Sequence, residues 1–172
     1  MKIVDDFLDQ DDFYELQTFM MGPGDVFPWY YNSIIDSVDD VDKFQFNHEF
    51  FCSRPLVVST FSNYVFPIEK KLDPLSILRI KANLLTRTSN IIKNEFHTDI
   101  ADFPNSPEKL KQWTTSIFYV NTNNGYTEFE DGTKVESVAN RMVTFPTNMK
   151  HTGTSCTDQK TRVVINFNYF TR

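Results

Sequence analysis

After Pro74 the chain breaks into short β-branched and aromatic runs: LSILRIKANLLT, IIKNEFHTD, TTSIFYVN, GYTEFEDG, TKVESVA, RMVTFP and TRVVINFNYF. Asn, Asp, Gly and Pro separate them, which is the punctuation of turns between strands. Runs this short and this rich in β-formers suit a sandwich or barrel of about eight strands. The residues before Pro74 read differently. Phe13, Leu16, Phe19 and Met20 recur at helical spacing; Asp9, Asp11 or Asp12 can cap that helix, and Gly22-Pro23-Gly24 stops it. KFQFNHEFF alternates as a strand, and TFSNYVFPIEKKL suggests a second short helix around residues 60–72. The expected fold is α+β and mostly β, with the N-terminal helices packed on one side of a β core.

The 172 residues suit one domain, with 1–73 as a helical and strand support region and 74–172 as the β core. Hydrophobic residues make up 40% of the chain and Phe occurs 17 times, which is ample material for a core without staples. Cys52 and Cys156 stand far apart with no C-x-x-C spacing, so reduced thiols are expected rather than a disulfide or a zinc–thiolate site. No apolar run approaches the roughly 20 residues of a helical membrane span. The opening MKIVDDFLDQDD turns acidic at once and has no apolar leader, so a cytoplasmic protein without a membrane partner is expected. A net charge of −6 gives no electrostatic reason to expect nucleic acid as a partner.

Chemistry enters at NEFHTDIADF, where His97 has a carboxylate two places on, Asp99. With three histidines and 23 acidic residues in the chain, chance gives about 0.4 such pairs, so the pair alone is weak. On a strand, however, residues i and i+2 point to one face, so His97 and Asp99 would project together into the interior. A third ligand from another strand would complete a facial metal site. His48 lies upstream, and His151 lies just after the RMVTF strand. Two histidines and one aspartate leave open positions on a non-haem iron. Taken singly, His97 and His151 also read as surface or hydrogen-bonded histidines. Arg162, eleven residues after His151 (162 − 151), opens the final strand, and its guanidinium fork suits a carboxylate. An arginine there also reads as a rim residue, and Lys160 in the preceding turn is a second candidate cation.

Together, FHTD, SIFYVNTNNGYTEF, NRMVTFPTNMKH and TRVVINF resemble the 2-oxoglutarate and Fe(II)-dependent oxygenase superfamily, in its prolyl-4-hydroxylase-like branch. The resemblance runs from Pro74 to the end, and IVDDFLDQDDFYEL resembles the N-terminal helix of that branch. It implies a double-stranded β-helix, or jelly-roll, core of cupin-like type. It also implies His97, Asp99 and His151 as iron ligands and Arg162 as the partner of the 2-oxoglutarate C5 carboxylate. Tyr119 matches a tyrosine that bonds the same carboxylate, and a core aromatic on a strand is an equal reading. Asn83 falls near a polar contact of 2-oxoglutarate from the first core strand. Tyr126 stands where a second glycine is common, and the tyrosine usual in that branch just before the H-x-D motif is not evident.

The implied cofactors are Fe(II), 2-oxoglutarate as co-substrate and O2, with ascorbate as an optional reductant. The implied activity is hydroxylation of a C–H bond, coupled to oxidative decarboxylation of 2-oxoglutarate; an aspartate ligand points to hydroxylation rather than halogenation. A prolyl, peptidyl or amino-acid-like substrate follows from the branch alone. Asn168 stands where the nucleic-acid demethylases carry a second arginine, which points away from nucleic acid. Asn166 and Asn168 alternate with Phe167 on the last strand, a pattern open to facing the pocket, with outward-facing polar residues the favoured reading. The loop from Leu84 to Phe96 and the stretch DIADFPNSPEKLKQW, with Phe103 and Trp113, are candidate lids. Two other classes stand beside this reading. One is a cupin-like metal-dependent oxygenase that uses no 2-oxoglutarate; the other is a non-catalytic binding module on the same fold.

Overall fold

The computed structural model describes residues 1–24, 26–35, 43–100 and 107–171. Its organising element is the last strand, β11 (Thr161–Phe170), which pairs antiparallel with β5 (Ser76–Thr86) on one side and β6 (Trp113–Tyr119) on the other. Beyond β6 lie β9 (Arg141–Pro146) and β1 (Lys2–Val4). Beyond β5 lie β3 (Gln45–Ser53) and β2 (Tyr30–Asn32), with β4 (Leu56–Val58) also on β3. A second, smaller sheet has the order β10 (His151–Gly153), β7 (Tyr126–Phe129), β8 (Lys134–Glu136). The result is a mostly β, antiparallel jelly roll.

The alternation along β11 explains why it sits in the middle. Val163, Ile165, Phe167 and Tyr169 belong to the core on one face of the large sheet, where α1 (Gln10–Met21) packs. Val164, on the other parity, joins Tyr119, Phe129, Val135 and Phe145 in a second core between the two sheets. A strand buried on both faces needs a nearly continuous apolar run, and TRVVINFNYF supplies one.

Helix α1 buries Phe13, Leu16 and Met20, and Phe13 meets Phe118 edge-to-face at 6.2 Å between ring centroids. Each such side chain contributes about 1.5–3 kcal/mol on burial, enough to hold a twelve-residue helix that would be marginal alone. Asp9 is the N-cap residue but makes no side-chain capping bond; at the other end Gly22 N–H donates to Thr18 O. The second expected helix is a 3-10 turn, Ser62–Val65, running into α2 (Phe66–Leu72).

One strand expectation is corrected. IIKNEFHTD forms no strand; it touches β10 and the residue beyond through two isolated bridges, Lys93↔Thr154 and His97↔His151. The candidate lid is split likewise. Leu84–Thr86 are the end of β5, residues 101–106 with Phe103 lie outside the described residues, and Trp113 opens β6 against Phe170. Among the described residues, no helix is long and apolar enough to cross a membrane.

Candidate metal centre

His97 and His151 are antiparallel neighbours: each backbone N–H donates to the other's carbonyl at 3.0 Å. Their rings therefore emerge side by side, with centroids 5.0 Å apart. Each Nδ1 lies against the carbonyl two residues earlier, Glu95 O at 3.1 Å and Met149 O at 3.2 Å. A carbonyl can only accept, so these contacts assign the neutral-ring proton to Nδ1 and leave the Nε2 lone pair free. Both Nε2 atoms look toward Asp99 Oδ1, at 3.7 Å from His97 and 3.6 Å from His151. One ligand atom from each of the three residues lies within 4.8 Å of the others.

The donor set fits a divalent metal. Adjacent ligands on an octahedral ion with bonds of ~2.1 Å stand ~3 Å apart, so side-chain adjustments of about 1 Å bring these three together. Burial pulls the His151 imidazole below the ordinary histidine range, and nearby Asp99 offsets this only partly, so the ring is neutral and able to ligate near pH 7. Burial pushes the Asp99 carboxyl up, but His151, Arg79, the Asn168 hydrogen bond and His97 together outweigh it and hold the group below the usual carboxylate range. An ionised Asp99 carboxylate beside the unprotonated Nε2 of His151, with His97 Nε2 adjacent, is the chemistry of a metal ligand set. His48, the other histidine, is spent elsewhere: its ring bonds Pro28 O and Ser59 Oγ among Phe27, Phe50 and Phe61.

A cavity of about 230 Å³ connects this cluster to Arg162. Arg162 is 3% exposed, with Nε donating to Ser137 Oγ at 2.9 Å and Nη2 to Thr127 Oγ1 at 3.2 Å. No described carboxylate lies within ion-pair distance of it. Burial accordingly pulls its guanidinium below the ordinary arginine value. Gly125 makes room for the side chain: a Cβ there would stand 2.7 Å from Arg162 Cδ and 2.7 Å from Ser155 O.

The remaining expected residues divide. Asn83 lines the cavity on β5. Tyr119 is fully buried beneath Arg162, whose guanidinium carbon is 5.7 Å from its ring centre, and its hydroxyl donates to Thr127 Oγ1 at 2.8 Å. It therefore meets the cavity through Thr127, which does line it. Lys160 lies away from the cavity, beside Leu84 and Thr161.

Sequence reasoning missed Arg79, Lys81 and Thr127 and misdirected Asn166 and Asn168. Asn166 and Asn168 face inward rather than outward; Asn168 is fully buried, and its Nδ2 donates to Asp99 Oδ2 at 2.9 Å. Arg79 Nη2 donates to Asn168 Oδ1 at 3.1 Å and to Asp99 O at 3.3 Å, which ties the ligand loop to β5. Lys81 lines the cavity, as does Thr127. The signal was present in RIKANLL, where Arg79, Lys81 and Asn83 occupy one face of a strand that must pair on both edges.

No protein-family model matches the sequence, and no curated protein matches it. Solved structures do match in shape. An oxidoreductase of the 2OG-Fe(II) oxygenase family from Burkholderia pseudomallei superposes with a TM-score of 0.68 at 11% identity, over 98% of this chain and 84% of the other. A Trichoplax adhaerens prolyl hydroxylase, solved with a hypoxia-inducible-factor oxygen degradation domain peptide, gives 0.67 at 11%, over 98% and 82%. The collagen prolyl hydroxylase of Paramecium bursaria Chlorella virus-1, solved with 2-oxoglutarate, gives 0.65 at 13%, over 99% and 96%. The chain has the fold of these oxygenases. Identities this low carry the fold and nothing finer; the chemistry rests on the cavity itself.

Proposed function

We propose that the protein is an Fe(II)- and 2-oxoglutarate-dependent dioxygenase that hydroxylates its substrate. The observation that carries this reading is one cavity holding both the His97, Asp99 and His151 donor cluster and a buried Arg162 with no described acidic partner. His97 Nε2, His151 Nε2 and an Asp99 oxygen would hold the iron. Arg162, with Thr127 beside it, would hold the C5 carboxylate of 2-oxoglutarate. When bound, iron and 2-oxoglutarate supply the oxidising chemistry, with O2 consumed and succinate and CO2 released.

The residues of the chain do the rest. The two Nδ1–carbonyl bonds fix the imidazole tautomers and orient the rings, and Asn168 holds the carboxylate. Arg162 orients the co-substrate by its far end, and Ile117 and Val164 keep that part of the cavity apolar. A buried cation without a counter-ion is costly, and a dicarboxylate co-substrate relieves that cost. This favours the reading over a cupin-like oxygenase with no 2-oxoglutarate, which would leave Arg162 uncompensated. Two of the solved structures of this fold are prolyl hydroxylases, and a peptidyl or amino-acid-like substrate is the reading we carry from them.

The test is spectroscopic. Anaerobic protein with Fe(II) should develop a weak visible metal-to-ligand charge-transfer band on adding 2-oxoglutarate, and Asp99→Ala should abolish the band and iron retention. No band from the wild-type protein, or full iron retention in Asp99→Ala, overturns the assignment.

A further inference from the structure

The cavity contains more positive charge than the metal cluster and the co-substrate anchor explain. Arg79, Lys81 and Arg162 line it against a lone lining carboxylate, Asp99. A dication and a dianionic 2-oxoglutarate cancel each other, which leaves that excess of two positive charges in place. Arg79 is engaged, since its Nη2 bonds Asp99 O and Asn168 Oδ1. Lys81 is not: its ammonium has no hydrogen-bond or ion-pair partner among the described residues. Glu49, its register partner on β3, acts on it only from beyond ion-pair distance. Burial, with Arg79 adding to it, pulls the lysine pKa down, which is the mark of a cation lacking its counter-ion.

Directly across the register from Lys81 on β11 is Asn166, whose Oδ1 is enclosed without a partner. Both side chains line the cavity. The carboxylate receptor here is built from donors, the Lys81 ammonium and the Asn166 amide NH2, neighbours across the register and both without a hydrogen-bond partner among the described residues: one carboxylate oxygen to Nζ, the other to Nδ2. Arg162 lies four residues from Asn166 along the strand, about 14 Å at ~3.4 Å per residue. The two cationic positions are therefore separate stations, with Lys81 nearer Asp99, whose charge it feels.

We propose that Lys81 and Asn166 form a second anion subsite at the metal end of the cavity, which takes a carboxylate of the substrate to be oxidised. This rests on the oxygenase reading for the assignment of Arg162 to 2-oxoglutarate. It makes the substrate a carboxylic acid whose reacting C–H bond lies a few bonds from its carboxylate. A neutral interior residue of a peptide would leave Lys81 unpaired.

The experiment uses the full chain loaded with Zn(II), which permits binding without turnover. Fluoroacetate and its neutral counterpart fluoroacetamide are titrated separately, with 2-oxoglutarate present, and followed by fluorine NMR. The acid is expected to bind the wild type at least tenfold more tightly than the amide. Lys81→Met should erase that preference, and Lys81→Arg should restore most of it; calorimetry should find 2-oxoglutarate affinity retained in Lys81→Met. Equal binding of acid and amide to the wild type, or binding of neither, overturns the subsite. So does a loss of 2-oxoglutarate affinity in Lys81→Met, which would assign the lysine to the co-substrate. Failure of 2-oxoglutarate to bind the metal-loaded wild type sinks the oxygenase reading instead, and a fluoroacetate preference lost in Lys81→Met would then stand alone.

Discussion

Asp99 can offer Oδ1 to both histidines because Oδ2 is already engaged by Asn168. Asn168 is itself held by Arg79 and sits 3.2 Å from Thr115 Oγ1, so the carboxylate is oriented before any metal arrives. Outer partners of this kind are worth 10–100-fold in metal affinity. Asn168→Leu, similar in size and without the amide, is therefore expected to weaken Zn(II) binding by about that factor in a chelator-competition titration. Thermal unfolding of the metal-free variant checks that the fold survives. Unchanged Zn(II) affinity in a folded variant would mean that Asp99 needs no such support. His97, Asp99, His151 and Arg162 were legible in the sequence because their spacing and order carry information. Asn168 was not, since polar residues alternating on a final strand are ordinarily solvent-facing. Only the register of β11 between β5 and β6, which buries both its faces, turns them inward.

At the scale of elements, the smaller sheet brings one wall of the cavity to the other. β7 supplies Thr127 and β10 supplies His151, and the two strands are paired, so one hydrogen-bonded ladder joins the co-substrate end to the metal end. Gly125 precedes β7 at the point where Arg162 passes. In Gly125→Ala the new methyl would meet backbone at Ser155 O as well as Arg162 Cδ, and backbone cannot swing aside as a side-chain end can. Overpacking of this kind costs about 1–3 kcal/mol. The expected outcome is a variant destabilised by about that amount in denaturant unfolding, with 2-oxoglutarate affinity reduced more than Zn(II) affinity. Equal losses for both ligands would mean that the strain spreads through the sheet instead of concentrating on Arg162. The strands of this half were readable from β-branched runs and turn residues. The segment 91–99 was not, because its apolar residues mimic a strand while its backbone bonds β10 and its neighbours only at intervals, and Ile92 is left 41% exposed.

For the whole molecule, histidine titration links folding to pH. Burial holds the His48 imidazole below the ordinary histidine value, offset in part by its bond to Pro28 O. An unfolded histidine takes up its proton near pH 6.5, whereas the folded ring resists until a lower pH. The contribution of His48 to stability is therefore fully present above that unfolded pKa and is lost as pH falls through the folded one. His151 acts in the same direction in the metal-free protein, and Glu69, whose carboxyl burial raises, acts in the opposite one. A difference measurement separates them, because His48→Gln removes one proton site and leaves the others in place. The melting temperature of the wild type should fall relative to His48→Gln as pH is lowered from about 7 to 5. Zn(II), which competes with protons for His151, should raise the melting temperature near pH 7 and lose that effect on acidification. Parallel melting curves for wild type and His48→Gln across that range would show that the Pro28 and Ser59 contacts hold the charged ring as well as the neutral one. Burial among Phe27, Phe50 and Phe61 argues against that, since a charged ring there loses the solvation by water that an unfolded imidazolium keeps.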